Sequence, residues 1–230
     1  MCGRFSFAAP LDELLDAFGV AAPEWDERPR YNIAPGQDIL TIVQDGAGRR
    51  LERARWGLVP SWARDPGVGY RMINARAETL FEKPAFRSAA LRRRCLVLAD
   101  GFFEWKRLDA RRKQPYRIVL RDRPAFAIAG LYDIWTDAGG NPLRTVTLVT
   151  TSPNDLVAPI HDRMPAILRS DHETPWMNPG LQQREAVAAM LMPYPAGAMR
   201  AYPVSSAVNA TQNDGPECIA PKSGDSRHHY

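Results

Sequence analysis

Residues 95–106 read Cys95-Leu96-Val97-Leu98-Ala99, then Asp100, then Gly101-Phe102-Phe103-Glu104-Trp105-Lys106. The first five form an unbroken apolar run of strand length, introduced by the basic triplet Arg92-Arg93-Arg94. The second group is rich in aromatics and predicts another strand. Its alternation puts Phe102, Glu104 and Lys106 on one face and Phe103 and Trp105 on the other. Further strands are predicted downstream at residues 116–120, 125–131 and 145–150. The middle of the chain is therefore a β structure without intervening helices.

Upstream, Leu11, Leu14, Leu15 and Phe18 recur at helical spacing and Gly19 stops the run. Residues 23–35 are too rich in Pro for a regular element. Residues 39–43 and 51–56 predict two strands across an Asp45-Gly46 turn. Trp56-Gly57-Leu58-Val59-Pro60-Ser61-Trp62 reads as a rigid aromatic loop. Residues 72–79 are expected to lead into a helix through Phe81, and residues 84–91 to form a second short helix. Ser152 as N-cap with Pro153 at the first position predicts a helix start, before a proline-framed loop over residues 159–165. A helix is expected at 181–191 and a last strand at 202–208. Without βαβ regularity or repeats, the class is α+β: one domain over residues 1–220, with a polar, disordered tail at 221–230.

The chain has 230 residues, an apolar share of 45% and a formal net charge of +4. That composition suits a globular domain with a real core. No apolar run is long enough to span a membrane. Residues 11–18 carry Asp12, Glu13 and Asp16, so they do not read as a signal peptide, and a cytoplasmic protein is expected. Cys2, Cys95 and Cys218 are far apart and odd in number, which predicts neither a disulfide framework nor a metal site. No cofactor is implied. Of the 30 cations, only four are Lys. Arginine suits bidentate contact with phosphate, although a GC-rich genome also accounts for the bias.

Met1-Cys2-Gly3-Arg4-Phe5 carries the first chemical signal. Removal of Met1 would give one residue both an α-amine and a thiol, able to close a five-membered ring on an aldehyde. An ordinary α-amine keeps a useful neutral fraction near pH 7. Read alone, Cys2 is equally a small packed residue. Asn74 and Arg76, before an expected helix, would suit an anion, or be a cap and a surface arginine. Glu104 beside Phe102 would be a general acid of raised pKa, or an exposed partner of Lys106. His161 would be a proton shuttle or a structural histidine, with Arg163 two residues on. Trp56, Trp62 and Trp105 are available for stacking bases.

These blocks together resemble the SRAP family of abasic-site processing proteins. They are Cys2-Gly3-Arg4, Asn74-Ala75-Arg76-Ala77-Glu78-Thr79, Gly101-Phe102-Phe103-Glu104-Trp105 and His161-Asp162-Arg163-Met164-Pro165. Tyr31-Asn32-Ile33-Ala34-Pro35, the 56–62 loop, Pro203-Val204-Ser205 and Asp214-Gly215-Pro216-Glu217-Cys218-Ile219 extend the match in order. The resemblance implies a barrel-like core with peripheral short helices. It also implies a covalent thiazolidine between Cys2 and the aldehyde of an abasic site in single-stranded DNA at stalled replication forks, with AP lyase-type chemistry. Glu104 would assist ring opening, His161 Schiff-base chemistry, and Asn74 would orient the amine and sugar. Arg4, Arg76 and Arg163 would meet phosphates, and Trp62, Trp105, Pro35 and Thr150 other parts of the DNA. A monomer, nucleoid-associated if bacterial, is expected. Two departures from the family pattern are Ala210 after Val208-Asn209, and Tyr132 after Gly130-Leu131. Two other readings are a thiol peptidase with Cys2 as nucleophile and His161 as base, and a noncovalent nucleic-acid binder.

Overall fold

The computed structural model describes residues 2–222, apart from the side chains of Glu13, Leu14 and Ala17. The elements in order are β1 (Phe5–Phe7), α1 (Leu11–Phe18), β2 (Arg30–Ile33), β3 (Asp38–Asp45), β4 (Gly48–Trp56) and β5 (Asn74–Arg76). Then come α2 (Pro84–Arg92), β6 (Arg94–Ala99), β7 (Gly101–Arg107), β8 (Lys113–Leu120), β9 (Phe126–Thr136) and β10 (Pro142–Thr151). The chain continues through β11 (Met164–Pro165), α3 (Ser170–Met177), α4 (Arg184–Ala189) and β12 (Met199–Pro203).

The two strands of residues 94–107 belong to different sheets. The apolar run is β6, buried at every position, and lies between β3 and β9. Strands β10, β4, β3, β6 and β9 pair in that order, and β9 pairs back to β10, so this sheet closes into a barrel. β5 adds to β10 in parallel and β11 adds antiparallel. The second sheet runs β12-β8-β7-β1-β2. Asp100 is the corner between the sheets. Its carboxylate accepts from Ser6 Oγ (2.6 Å), the Ala8 amide (2.7 Å) and Arg117 Nη2 (2.8 Å). A charge buried this deeply persists because it is paired and hydrogen-bonded.

The alternation read in residues 101–106 holds. Phe102 joins the main core with Cys2, Phe5 and the barrel interior. Phe103 faces the other way, into a small cluster with Val204, Val208 and Cys218. Helices α1 and α2 form where the spacing places them, and Gly19 ends α1 in the left-handed conformation (φ 63°). Arg94, the last of the basic triplet, is buried. It donates to the carbonyls of Ala90, Leu91, Trp176, Asn178 and Leu181, tying α2 and α3 to the barrel.

Several expectations fail locally. Residues 74–76 are a strand, followed by a single 3-10 turn at Ala77–Thr79 rather than a helix. The edge of β10 offers this segment a ladder of hydrogen bonds, with Leu148 opposite Asn74 and Thr150 opposite Arg76. No helix starts at Ser152. Asn154 makes the turn there, its Oδ1 accepting from the Val157 amide at 3.0 Å. Helix α3 was not foreseen because its Asp-His-Glu stretch and Pro175 lack an apolar period. The last strand ends at Pro203 and gives way to a 3-10 turn at Ser206–Asn209. Of the expected tail, Pro221 bridges to Val204. Residues 223–230 lie outside the described residues. Among the described residues, no helix is long and apolar enough to cross a membrane.

Candidate active site

The site is built where β1 meets β7. Phe5 pairs with Phe102, and the Phe103 amide donates to the Arg4 carbonyl at 2.9 Å. Continued toward the N-terminus, this antiparallel register brings Gly3 beside Glu104. Cys2 is fully buried among apolar neighbours. Asn74 on β5 reaches across from the barrel, and its Nδ2 donates to the Cys2 carbonyl at 2.7 Å. The two sheets thus each hold one side of Cys2.

Glu104 is 2% exposed. Burial, reinforced by the charge of Asp162, pushes its carboxyl up to about 8. An acid in this state is mostly protonated at neutral pH. The alternative of an exposed Glu beside Lys106 is therefore wrong for this chain. Burial, with the Glu104 charge adding to it, also pushes the Cys2 thiol up.

His161 Nε2 faces Glu104 Oε2 at 3.7 Å, longer than a hydrogen bond. Its Nδ1 accepts from the Arg163 amide at 3.0 Å. A neutral ring in this arrangement carries its proton on Nε2, toward Glu104. A protonated ring finds acceptors for Nδ1–H in the Arg163 carbonyl at 3.2 Å and Asp162 Oδ1 at 3.1 Å. Partial burial lowers the His161 pKa.

Four of six buried side-chain atoms without a partner among the described residues belong to expected site residues: Glu104 Oε1, Asn74 Oδ1, Arg4 Nε and Arg163 Nε. Such atoms are costly, so their concentration here is a mark of a binding site.

The expected DNA contacts fall into two sets. In the first, Arg76 is exposed at the end of β5. Arg163 is clasped by Glu78, with Nη1–Oε1 at 2.6 Å and Nη2–Oε2 at 2.9 Å, and Nη2 also donates to the Thr150 carbonyl at 2.7 Å. Thr150 itself is 2% exposed and serves as a support. Trp62 is 66% exposed, yet its backbone is pinned from both sides. The Ser61 amide donates to Asp133 Oδ2 (3.0 Å) and Trp135 Nε1 to the Ala63 carbonyl (2.7 Å). The same loop crosses residues 66–71 at Gly57 and Gly69, where a Cβ on either would come within 2.7 Å of the other's carbonyl oxygen. The Gly36 amide, next to half-buried Pro35, donates to the Trp56 carbonyl at 2.8 Å, and the exposed Tyr70 ring lies beside Gly36.

In the second set, Trp105 and Arg4 are engaged with the C-terminal segment. Trp105 Nε1 donates to Asn209 Oδ1 at 2.8 Å, and the Arg4 guanidinium lies 5.8 Å from the Trp105 ring centroid. Arg4 Nη1 also donates to Asn32 Oδ1 at 2.7 Å and to the Val208 carbonyl. Trp56 is not available for stacking: it is 1% exposed and its Nε1 donates to the Ile73 carbonyl at 2.8 Å. Sequence reasoning missed Glu78, Asn32, Tyr70 and Asp133. For Glu78 a signal existed, since it stands two residues after Arg76.

A sequence model described as SOS response associated peptidase (SRAP) matches residues 1–211. The chain belongs to the SRAP family. Abasic site processing protein YoqW of Bacillus subtilis (strain 168) is 49% identical over 221 residues, covering 95% of this chain and 99% of its own. Abasic site processing protein HMCES of Xenopus tropicalis is 31% identical, covering 96% of this chain and 78% of its own. A Bacteroides thetaiotaomicron protein of known crystal structure superposes with a TM-score of 0.86 at 30% identity, covering 96% of this chain and all of that one. At the two departures in this SRAP chain, the Ala210 carbonyl accepts from Asn32 Nδ2 at 3.1 Å, and the Arg144 guanidinium lies 4.9 Å from the Tyr132 ring centroid.

Proposed function

We propose that this SRAP protein captures abasic sites in single-stranded DNA as a covalent adduct through Cys2, once Met1 has been removed. The observation that carries the reading is the junction of Cys2, Asn74, Glu104 and His161, where a buried acid of pKa about 8 lies next to the Cys2 segment. An abasic nucleotide has no base to unstack, so its sugar enters such a pocket at low cost.

The chemistry balances with these groups. Protonated Glu104 gives its proton to the ring oxygen of the closed sugar as the C1′–O4′ bond breaks, its carboxylate takes back the C1′ hydroxyl proton, and the aldehyde opens. The Cys2 amine adds to C1′ and expels water, leaving an imine. The thiol sulfur then bonds to the same carbon, and its proton passes by way of His161 or Glu104 to the nitrogen. The net change is loss of one water. Asn74 Oδ1, buried and unpartnered, supports a role as acceptor for the amine or a sugar hydroxyl. If His161 instead removes a C2′ proton from the imine, the 3′ phosphate leaves and the strand is cut. Arg76 and Arg163 bind the flanking phosphates, and Trp62 stacks on a neighbouring base.

A thiol peptidase needs a thiolate stabilised by its surroundings. The burial of Cys2 works the other way, which favours the aldehyde reading.

The test is a denaturing gel after incubation with single-stranded DNA carrying one abasic site. A shifted band that is absent with intact DNA and with Cys2→Ala is expected. Wild-type protein that gives no shifted band, or a band retained by Cys2→Ala, refutes the proposal.

A further inference from the structure

Glu78 is not assigned by the chemistry above, yet it is bonded to one of the arginines assigned to phosphate. It lies two residues after Arg76 and grips Arg163 with both carboxylate oxygens. Paired planar oxygens on a guanidinium fork are also how a phosphodiester meets arginine. The Glu78 side chain is 51% exposed while Arg163 beneath it is 16% exposed. A phosphate that meets the Arg163 fork with two oxygens takes the place of the Glu78 carboxylate.

We infer that Glu78 is a built-in phosphate mimic, holding the Arg163 fork while no DNA is bound and giving way to a backbone phosphate when DNA arrives. This rests on the reading of Arg76 and Arg163 as phosphate contacts. The Thr150 carbonyl on β10 also accepts from Arg163 Nη2 at 2.7 Å, so the fork keeps one anchor when Glu78 leaves. Glu78 remains ionised across the neutral range, because the Arg163 hydrogen bonds hold its carboxyl below the usual value. The consequence is specificity. Undamaged single strands must displace Glu78 and gain no covalent bond in return, whereas an abasic strand is then trapped. Glu78 thereby shortens the stay of strands that form no covalent bond, while an abasic strand, once captured, is retained.

The test is a double-mutant cycle on binding of a fluorescein-labelled twelve-nucleotide oligothymidylate, read by anisotropy, with wild type, Glu78→Gln, Arg163→Ala and the double variant. Glu78→Gln keeps the shape and removes the charge. Its affinity should rise roughly fivefold, the scale expected when a partly exposed ion pair no longer competes. The gain should vanish in the Arg163→Ala background. Glu78→Ala serves as a second variant, and thermal melting reports whether each variant is folded. Unchanged or weaker binding by folded Glu78→Gln and Glu78→Ala overturns the inference. So does a gain that persists without Arg163, since that would be diffuse charge. Wild-type adduct formation on an abasic oligonucleotide, run in parallel, reports separately on the capture reading.

Discussion

The floor of the site and its rim are built on opposite principles. At the floor, Cys2 and Glu104 are buried, and Glu104 Oε1 and Asn74 Oδ1 are left without partners. At the rim, both Nη atoms of Arg163 are held by Glu78 and Thr150, while Trp62 stands in solvent on a backbone held by Asp133 and Trp135. A buried floor with unmet hydrogen-bonding capacity raises the Glu104 pKa, which suits proton transfer, and a rim of paired charges with an exposed ring suits reversible grip. Chemistry and binding should therefore respond to different substitutions.

The largest break comes at the floor. Cys2→Ala should abolish the covalent adduct on abasic DNA while leaving noncovalent affinity within about twofold. Glu104→Gln should slow adduct formation by roughly a hundredfold or more, the range of a lost general acid, without weakening binding. The wild-type rate should follow a bell, rising as the Cys2 amine loses its proton and falling above about pH 8, where Glu104 gives up its own, and Glu104→Gln should lose the falling limb. A flat profile between pH 7 and 9 in single-turnover capture would contradict that role.

The same shift bears on stability. The folded pKa of Glu104 is raised, so the native state holds this proton between about pH 4.5 and 8 while the unfolded chain releases it. Its contribution is present below the unfolded value and is lost as pH rises through the folded one. Glu104→Gln should therefore be more stable than wild type at pH 9, by about 2–4 kcal/mol, with the charge-dependent part of the difference fading toward pH 4.5. Denaturant titrations at the two pH values measure it.

At the rim the effects are smaller and appear in affinity. Trp62→Ala should weaken binding of single-stranded DNA by roughly tenfold, as for a lost stacking platform. Arg76→Ala should weaken it by about threefold to fivefold and reduce the salt slope by about 0.7, one phosphate on single-stranded DNA. Adduct formation at saturating DNA should be unchanged in both. If either variant slows capture at saturation, floor and rim are not separable as described.

Much of this division was legible in the sequence, and the exceptions have physical causes. The alternation of residues 101–106 placed Glu104 and Phe102 together, because strand period is a local property. What alternation could not say was that both faces are covered, since that depends on β1, the closed barrel and the C-terminal segment arriving from elsewhere. Residues 74–79 looked like the approach to a helix because the pairing edge of β10 lies about seventy residues away in the chain. The three tryptophans looked alike in composition. Tertiary structure separates them into a core residue, a ring bonded to Asn209 and an exposed ring. Glu78 was visible within its block, but its grip on Arg163 joins two segments 85 residues apart.

The most direct measurement is mass spectrometry of the N-terminal peptide from the protein crosslinked to an abasic oligonucleotide and then digested with trypsin and nuclease. The account predicts a peptide beginning at Cys2 and carrying the sugar remnant with the loss of one water. A remnant on any other residue, or on a peptide that still begins with Met1, would contradict it.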